Sequence, residues 1–430
     1  MIQEIRIKNF LSFKEEVNFS FEATKDTFAE DYQVVEVAKG IRLLRFAMIY
    51  GANASGKSNL LNVFDFLHRF WFDKPDDMDE KTGVVPFRLD NTTNNKPSSF
   101  ELIFYVSNTK YWYQLELDEK QVYTEKLFYY KSVQPTLLFN RELINGQSVI
   151  SFNSAAVKVS SIVREKISVE CLKNMSFFAA RDKVNATIPE IDTAKDWLKK
   201  QIMPMVTPWS SMFQYAEEQV LENREIKSYL LDFVRAADFN IVDITTQIEK
   251  REVTQDFVDF LMNRSGLTEQ DKEELKKNRF VSTTRTDFIH TVHNERGEEK
   301  YNLPEELQSE GTKRICGLEA AIYMAIQNNG FLFIDEVENS LHPQLLRFIL
   351  LNFLRKELSR SQLLITTHYD PLLNEIGEIF RKDSIWFTEK TKSGHTEVYS
   401  LTDFNGLNRL SSIQKAYNYR KFGAFPEINL

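Results

Sequence analysis

The sequence has few of the residues that mark secreted, zinc-binding or membrane-spanning proteins. Its 430 residues include only two cysteines, Cys171 and Cys316, which predict neither a disulfide framework nor a zinc cluster. No apolar run is long enough for a transmembrane helix, and the first residues alternate like a strand rather than forming a signal peptide. We therefore expect a cytoplasmic protein that does not contact a membrane.

Basic residues are also fewer than acidic ones, with 54 Lys and Arg against 62 Asp and Glu. The resulting net charge of −8 gives no overall attraction for nucleic acid, although it is compatible with a local basic groove. The hydrophobic fraction of 42% is sufficient for a large core, and the length predicts two or three lobes.

The stretch 43–71 carries the most specific motif in the chain. Residues 43–50 form an apolar run that indicates a buried strand, and the apolar spacing after residue 59 indicates a helix. Between them, Gly51–Ser58 reads GANASGKS and matches the phosphate-binding loop G-x-x-x-x-G-K-[ST] in full. In such a loop, glycines let backbone N–H groups and the helix N-terminus face the phosphates. The residues predicted to bind nucleotide here are Gly51, Ala52, Asn53, Ala54, Ser55, Gly56, Lys57, Ser58 and Asn59.

Two of these residues have side chains with a definite chemical role. Lys57 supplies a mobile positive charge for the phosphate oxygens. Ser58 is suited to give a hydroxyl ligand to Mg²⁺. The motif therefore predicts a bound nucleotide with a magnesium ion.

The remaining pattern divides the chain into a head and an inserted lobe. The α/β head is predicted over 1–190 and 282–430, with period-two alternation indicating an antiparallel β subdomain at about 99–160. Residues 191–281 are highly charged and indicate helices without a sustained heptad repeat. We therefore expect a compact helical insertion rather than a long coiled-coil arm.

Three further segments suggest the other half of an active site. Asp335 and Glu336 follow an apolar strand, which suits Asp335 to hold Mg²⁺ through water and Glu336 to polarise an attacking water. His368 ends another apolar strand, where it can sense a γ-phosphate at the same sheet edge. Ser309 and Gly311 open a helix and can either grip an anion or act as an ordinary N-terminal cap.

The order of these motifs resembles the ABC-type ATPase set. Gly51–Ser58 resembles Walker A, Ser309-Glu-Gly311 the signature, Asp335-Glu336 Walker B, Ser340-Leu-His342 the D-loop, and His368 the switch histidine. No residue is assigned as the Q-loop glutamine. The resemblance implies an ABC-type head, a mixed sheet with flanking helices, that binds ATP and Mg²⁺. It also implies catalytic roles for Glu336 and His368.

Two details narrow the resemblance to a particular group of these ATPases. Glu310-Gly-Thr-Lys-Arg314 replaces the Gly-Gln that follows the signature serine in transporters, and residues 381–390 and 419–426 look like RloA-type ATPases of bacterial anti-phage defence or restriction-linked loci. Such a resemblance implies a homodimer or higher homo-oligomer bridged by ATP and a separate effector, a nuclease or toxin. The alternative is a DNA-repair ATPase of the RecF or SMC type, which a basic groove with salt-sensitive duplex binding would favour.

Overall fold

The computed structural model describes residues 1–237, 240–252, 280–356 and 359–426. These residues form two compact units. The first unit comprises Met1–Ser210, Met324–Asn339 and Leu346–Leu430, and the second comprises Ser211–Tyr323 and Ser340–Leu345. No helix in the described ranges is both long and apolar enough to cross a membrane.

The strands and helices of the described ranges are numbered in chain order. The strands are β1 (Ile2–Lys8), β2 (Val17–Ser20), β3 (Val34–Ala38), β4 (Ile41–Leu44), β5 (Phe46–Tyr50), β6 (Ser98–Val106), β7 (Thr109–Leu117), β8 (Val122–Tyr130), β9 (Thr136–Ile144), β10 (Gln147–Phe152), β11 (Ile241–Glu252), β12 (Phe280–Asn294), β13 (Gly297–Pro304), β14 (Phe331–Ile334), β15 (Gln362–Thr366), β16 (Ile385–Lys390) and β17 (Thr396–Ser400). The helices are α1 (Glu30–Gln33), α2 (Lys57–Phe72), α3 (Ser161–Glu170), α4 (Phe177–Arg181), α5 (Pro189–Gln201), α6 (Met212–Glu222), α7 (Arg224–Ala236), α8 (Glu310–Asn328), α9 (Pro343–Leu354) and α10 (Ile413–Asn418).

A mixed sheet in the first unit positions the predicted active-site motifs. Its order is β14-β15-β5-β16-β17, with β14, β15, β5 and β16 parallel and β17 antiparallel at the edge. Strands β5, β14 and β15 are buried along their whole length, which explains why each reads as a continuous apolar run. Because parallel strands end at the same sheet edge, the residues that follow these three strands lie at one edge.

The second sheet of this unit is antiparallel, with the order β10-β9-β8-β7-β6-β1-β2. Strands β6 to β10 occupy the region where period-two alternation predicts such a sheet. The N-terminal strand β1 joins it by pairing with β6, so that Ile5 lies opposite Leu102. The prediction of an α/β fold with a mixed sheet, flanking helices and an antiparallel β region is confirmed.

Helix α2 packs against both sheets. On one side, the ring of Phe64 contacts Phe331 of β14 with 4.8 Å between centroids. On the other side, the ring centroid of Phe66 lies 5.3 Å from that of Phe100 on β6, and that of Trp71 lies 5.4 Å from that of Tyr113 on β7. This double burial fixes the helix, and therefore the phosphate-binding loop at its N-terminus, within the main core.

The second unit combines helices with a three-stranded antiparallel sheet of order β11-β12-β13. Ile241, Ile244 and Phe288 form its core with Val234 and Cys316. The prediction of helix across 191–281 is therefore wrong at β11, which is a strand that pairs with β12 along its length. The mostly polar sequence of β11 lacks the apolar alternation that would indicate a strand.

The boundaries of the inserted lobe also differ from the predicted ones. Helix α5 lies in the first unit, because Ile191, Ala194 and Leu198 are buried in the main core. Strands β12 and β13 lie in the second unit because they pair with β11 and with each other. Residues 253–279 of the predicted lobe lie outside the described residues.

Candidate functional site

The loop between β5 and α2 has two positions that require glycine. A Cβ atom on Gly51 would overlap Ser55 Oγ and Thr388 Oγ1. Gly56 has φ +108°, and a Cβ there would overlap the Thr396 side chain. Side chains therefore pack directly against the backbone of the loop at both glycines. A compact loop with accessible backbone N–H groups is what phosphate binding requires.

Lys57 is folded back into this loop. Its Nζ donates hydrogen bonds to the carbonyl oxygens of Gly51 and Ala52 at 2.9 and 3.2 Å. Burial lowers the pKa of Lys57 to about 8, although the carboxylates of Asp335, Glu336 and Glu338 oppose the shift. A buried ammonium that has lost its hydration is well suited to exchange these carbonyl partners for phosphate oxygens.

A chain of hydrogen bonds connects α2 to the ends of β14 and β15. Asp335 Oδ1 accepts a hydrogen bond from Ser58 Oγ at 3.0 Å and another from Thr366 Oγ1 at 2.5 Å. The backbone N–H of Glu336 in turn donates to Thr366 Oγ1 at 2.8 Å. Thr366 was not identified from the sequence. The available signal was its position at the end of the strand that leads to His368.

The two residues predicted to be catalytic face each other. His368 Nε2 lies 3.8 Å from Glu336 Oε1, and both side chains are partly exposed. Glu336 has φ +46°, an unusual value for a residue other than glycine that turns the chain sharply after β14. The backbone N–H of His368 donates to Glu338 Oε1 at 2.6 Å.

The protonation state of His368 follows from its neighbours. Burial is the largest cause that lowers its pKa below the ordinary value of 6.5, and the Lys57 ammonium adds to it. The carboxylates of Glu338, Glu336 and Asp335 oppose the shift without cancelling it. The imidazole is therefore neutral at pH 7, with one ring nitrogen as donor and the other as acceptor.

Ser55 and Asn59, both predicted to bind nucleotide, use their side chains to support the loop. Ser55 Oγ shares a hydrogen bond with Thr388 Oγ1 at 2.6 Å. Asn59 Nδ2 donates to Ser12 Oγ at 2.8 Å, and Thr396 Oγ1 donates to the same oxygen at 2.8 Å. Thr396 Oγ1 also donates to the carbonyl oxygen of Ser55 at 2.7 Å, so the loop is tied to the N-terminal turn, to β16 and to β17.

Ser309 and Gly311 lie in the second unit, where Ser309 caps helix α8. Its Oγ accepts a hydrogen bond from the backbone N–H of Thr312 at 3.0 Å. A Cβ on Gly311 would lie 3.2 Å from the carbonyl oxygen of Ser340, so this unit brings the signature-like and D-loop-like segments close together. Of the two roles considered for Ser309, this hydrogen bond is that of an N-terminal cap.

An open cleft of about 660 Å³ adjoins the loop and the catalytic pair in the first unit. It is lined by Gly51, Asn53, Glu336, His368, Asp370, Tyr417, Phe425 and Pro426. The last four of these were not predicted as site residues. Periodicity and motif spacing gave no signal for them, because their role depends on a contact between distant parts of the chain.

The donor set fits the ligands that the motifs predict. Mg²⁺ prefers oxygen ligands, and the Ser58 hydroxyl and Asp335 carboxylate supply two of them at one point. The tight glycine cradle and the buried Lys57 ammonium suit a polyphosphate. The residues present therefore fit a magnesium–nucleotide complex.

Comparison with known proteins identifies one matching family. The family model described as "AAA domain, putative AbiEii toxin, Type IV TA system" matches residues 46–157 and 207–374. No curated protein matches the chain. Among solved structures, the SMC head domain from Thermotoga maritima is 12% identical with a TM-score of 0.40, covering 93% of this chain and 98% of that one. An SMC head bound to the C-winged helix domain of ScpA is 12% identical with a TM-score of 0.43, covering 96% and 99%.

Proposed function

Because the chain belongs to the AAA-domain family whose model matches it, we propose that it is an ABC-type ATPase that binds ATP at Gly51–Asn59 and hydrolyses it with Mg²⁺. The observation that carries this proposal is the clustering of five side chains at one sheet edge. They are the buried Lys57 ammonium, the Ser58–Asp335 pair, and Glu336 facing His368. Such a set combines phosphate binding, metal binding and water activation.

Each side chain of the cluster has a defined role in the proposed reaction. Lys57 exchanges its carbonyl partners for oxygens of the ATP phosphates. Ser58 and Asp335 would hold Mg²⁺, which when bound neutralises charge that develops on the phosphate oxygens. Glu336 orients the attacking water and accepts its proton, and neutral His368 donates a hydrogen bond to the γ-phosphate.

We further propose that the working form is a homodimer in which Ser309 and Gly311 act on the partner's ATP. The loop at Gly51–Ser58 wraps one side of the phosphates from its own subunit. A two-fold partner can supply a second helix N-terminus to the other side, which buries two ATP molecules in an isologous interface. ATP would then favour the closed dimer, and hydrolysis would release it.

The proposed biological role is that of a sensor or regulator with a separate effector, a nuclease or toxin, in anti-phage defence. The resemblance of residues 381–390 and 419–426 to RloA-type ATPases supports it, as does a family description that names a toxin–antitoxin system. Nucleotide-dependent co-purification with the product of a neighbouring gene is the expected result. Salt-sensitive binding of duplex DNA without such a partner would instead favour a DNA-repair ATPase.

The direct test of nucleotide binding is isothermal titration calorimetry of the Lys57→Ala variant. We expect this variant to lose ATP binding, because the substitution removes the charge that offsets the phosphates. The matched control is Lys200→Ala, which removes an exposed lysine of α5 whose ammonium lies 3.9 Å from Asp196. Unchanged ATP affinity in Lys57→Ala would contradict the assignment.

A further inference from the structure

We propose that residues 412–426, here called the cleft-wall segment, are part of the hydrolytic site, and that Asp370 is the positioning residue that couples this segment to His368. The inference deepens the proposed ATPase function and rests on it. It concerns hydrolysis rather than ATP binding, because the hydrogen bonds of the segment reach the loop that carries His368.

Asp370 is the main link between the segment and the switch-histidine loop. It lies two residues after His368 and begins a short 3₁₀ helix, Asp370–Glu375. Its Oδ2 accepts hydrogen bonds from Gln414 Nε2 at 2.8 Å and from Asn418 Nδ2 at 3.0 Å. One carboxylate oxygen therefore binds two successive turns of α10.

A second pair of hydrogen bonds reinforces the same contact. Asn374 Nδ2 donates to Gln414 Oε1 at 2.5 Å, and Ser412 Oγ donates to Asn374 Oδ1 at 3.0 Å. Gln414 thus bonds both ends of the 3₁₀ helix with its two amide atoms. The orientation of α10 and that of the loop carrying His368 are consequently fixed relative to each other.

Aromatic packing connects the segment to the phosphate-binding loop as well. The Tyr417 ring stacks on Phe387 with 5.7 Å between centroids and lies 5.8 Å from the ring of Tyr50, the last residue before Gly51. Tyr50 Oη donates to the carbonyl oxygen of Tyr369 at 3.2 Å, directly beside His368. The segment therefore contacts the end of β5 through Tyr417 and the loop after β15 through Asp370.

The position of the segment explains why it should affect hydrolysis. Tyr417, Phe425 and Pro426 form the apolar wall of the cleft that opens onto Glu336 and His368. The Phe425 ring is held edge-to-face against Tyr417, with 5.4 Å between centroids. This wall limits the water that reaches Glu336, and its anchor at Asp370 sets the distance between His368 and Glu336.

The test replaces the amide donor of one hydrogen bond with a carboxylate. Asn418→Asp places a second carboxylate against Asp370, so that attraction becomes repulsion and the segment is released. We expect kcat for ATP hydrolysis to fall about 10-fold or more, because small misplacements of catalytic groups have effects of this size. The ATP dissociation constant should change by less than about twofold, since Lys57 and Ser58 remain in place. Backbone amide exchange around His368 should increase.

Two further variants make the test decisive. Asp370→Asn/Asn418→Asp removes the repulsion and restores this donor–acceptor pair with the roles exchanged, at the loss of the hydrogen bond that Gln414 Nε2 donates to the same oxygen. It should raise kcat at least about threefold above that of Asn418→Asp. Asn405→Asp makes the same substitution at an exposed site outside the segment and should leave kcat unchanged. A wild-type kcat in Asn418→Asp, a proportional loss of ATP affinity, or a folded double variant without rescue would each overturn the proposal.

The outcome also separates this proposal from the proposed function. A wild-type protein that hydrolyses no ATP would refute the ATPase assignment. In that case the rate of backbone amide exchange around His368 is the only test of the coupling between Asp370 and the segment. Unchanged exchange around His368 in Asn418→Asp would overturn it, and increased exchange that the double variant reverses would support it.

Discussion

The Ser58 hydroxyl donates a hydrogen bond to Asp335 Oδ1 at 3.0 Å, although 277 positions separate the two residues in the chain. The contact brings the end of the phosphate-binding loop to the end of β14. Two hard oxygen ligands at one point are the minimal protein contribution to a magnesium site that also uses phosphate oxygens.

Asp335→Asn should therefore weaken magnesium binding, so that ATP hydrolysis requires a higher Mg²⁺ concentration. The substitution keeps the shape of the side chain but removes its negative charge, and we expect the rate to fall about 10²–10³-fold. A titration of hydrolysis rate against MgCl₂ provides the measurement. Asp196→Asn, which alters an exposed carboxylate on α5, is the control. A variant whose rate and magnesium curve match wild type would contradict the role of Asp335.

The proposed dimer predicts complementation between two inactive chains. Lys57→Ala lacks a working phosphate loop and Ser309→Arg lacks the signature contact, so each alone should be inactive. An equal mixture should form heterodimers with one intact composite site and recover about a quarter of the wild-type rate per chain. Ser132→Arg adds an arginine at an exposed site and should remain active. Heterodimers that form without regaining hydrolysis would exclude action in trans.

Glu217 in the second unit predicts a pH-dependent stability. Burial, together with the neighbouring Glu305 carboxyl, raises the pKa of Glu217 to about 7 from its ordinary value of 4.5. The folded chain binds this proton more tightly than the unfolded chain does. The resulting stability is complete below pH 4.5 and is lost as the pH rises through about 7.

Glu217→Gln should remove that dependence, because its side chain does not ionise. We expect the variant to be more stable than wild type at pH 8, by about 1–3 kcal/mol, and to show a flatter profile between pH 5 and 8. Urea unfolding at several pH values measures this. Glu222→Gln, on the exposed end of α6, is the matched control. Identical pH profiles for wild type and Glu217→Gln would disprove the prediction.

Much of the fold and part of the site could be predicted because the signals are local. The strand, loop and helix around Gly51–Ser58 are contiguous, and a buried strand followed by Asp335 and Glu336 is recognisable from four apolar residues. The parallel pairing of β14 with β15 then brings His368 to the same edge, as the shared geometry of parallel strands predicts.

Other features depend on pairings that no short window reveals. Strand β11 is mostly polar and becomes recognisable only through its pairing with β12. Thr366 matters because its hydroxyl bridges Asp335 and the backbone of Glu336 on a neighbouring strand. The cleft-wall segment contacts Asp370 from 44 positions away at Gln414, so its role appears only once the chain is folded.

The most direct test of the central claim is the rate of ATP hydrolysis by the Glu336→Gln variant, measured together with its ATP affinity. We expect ATP and Mg²⁺ binding to be retained, because Lys57, Ser58 and Asp335 are unchanged, and hydrolysis to slow by about 10²–10⁴-fold as for a general base. Light scattering should then show accumulation of an ATP-loaded dimer. A Glu336→Gln protein that hydrolyses ATP at the wild-type rate would contradict the account.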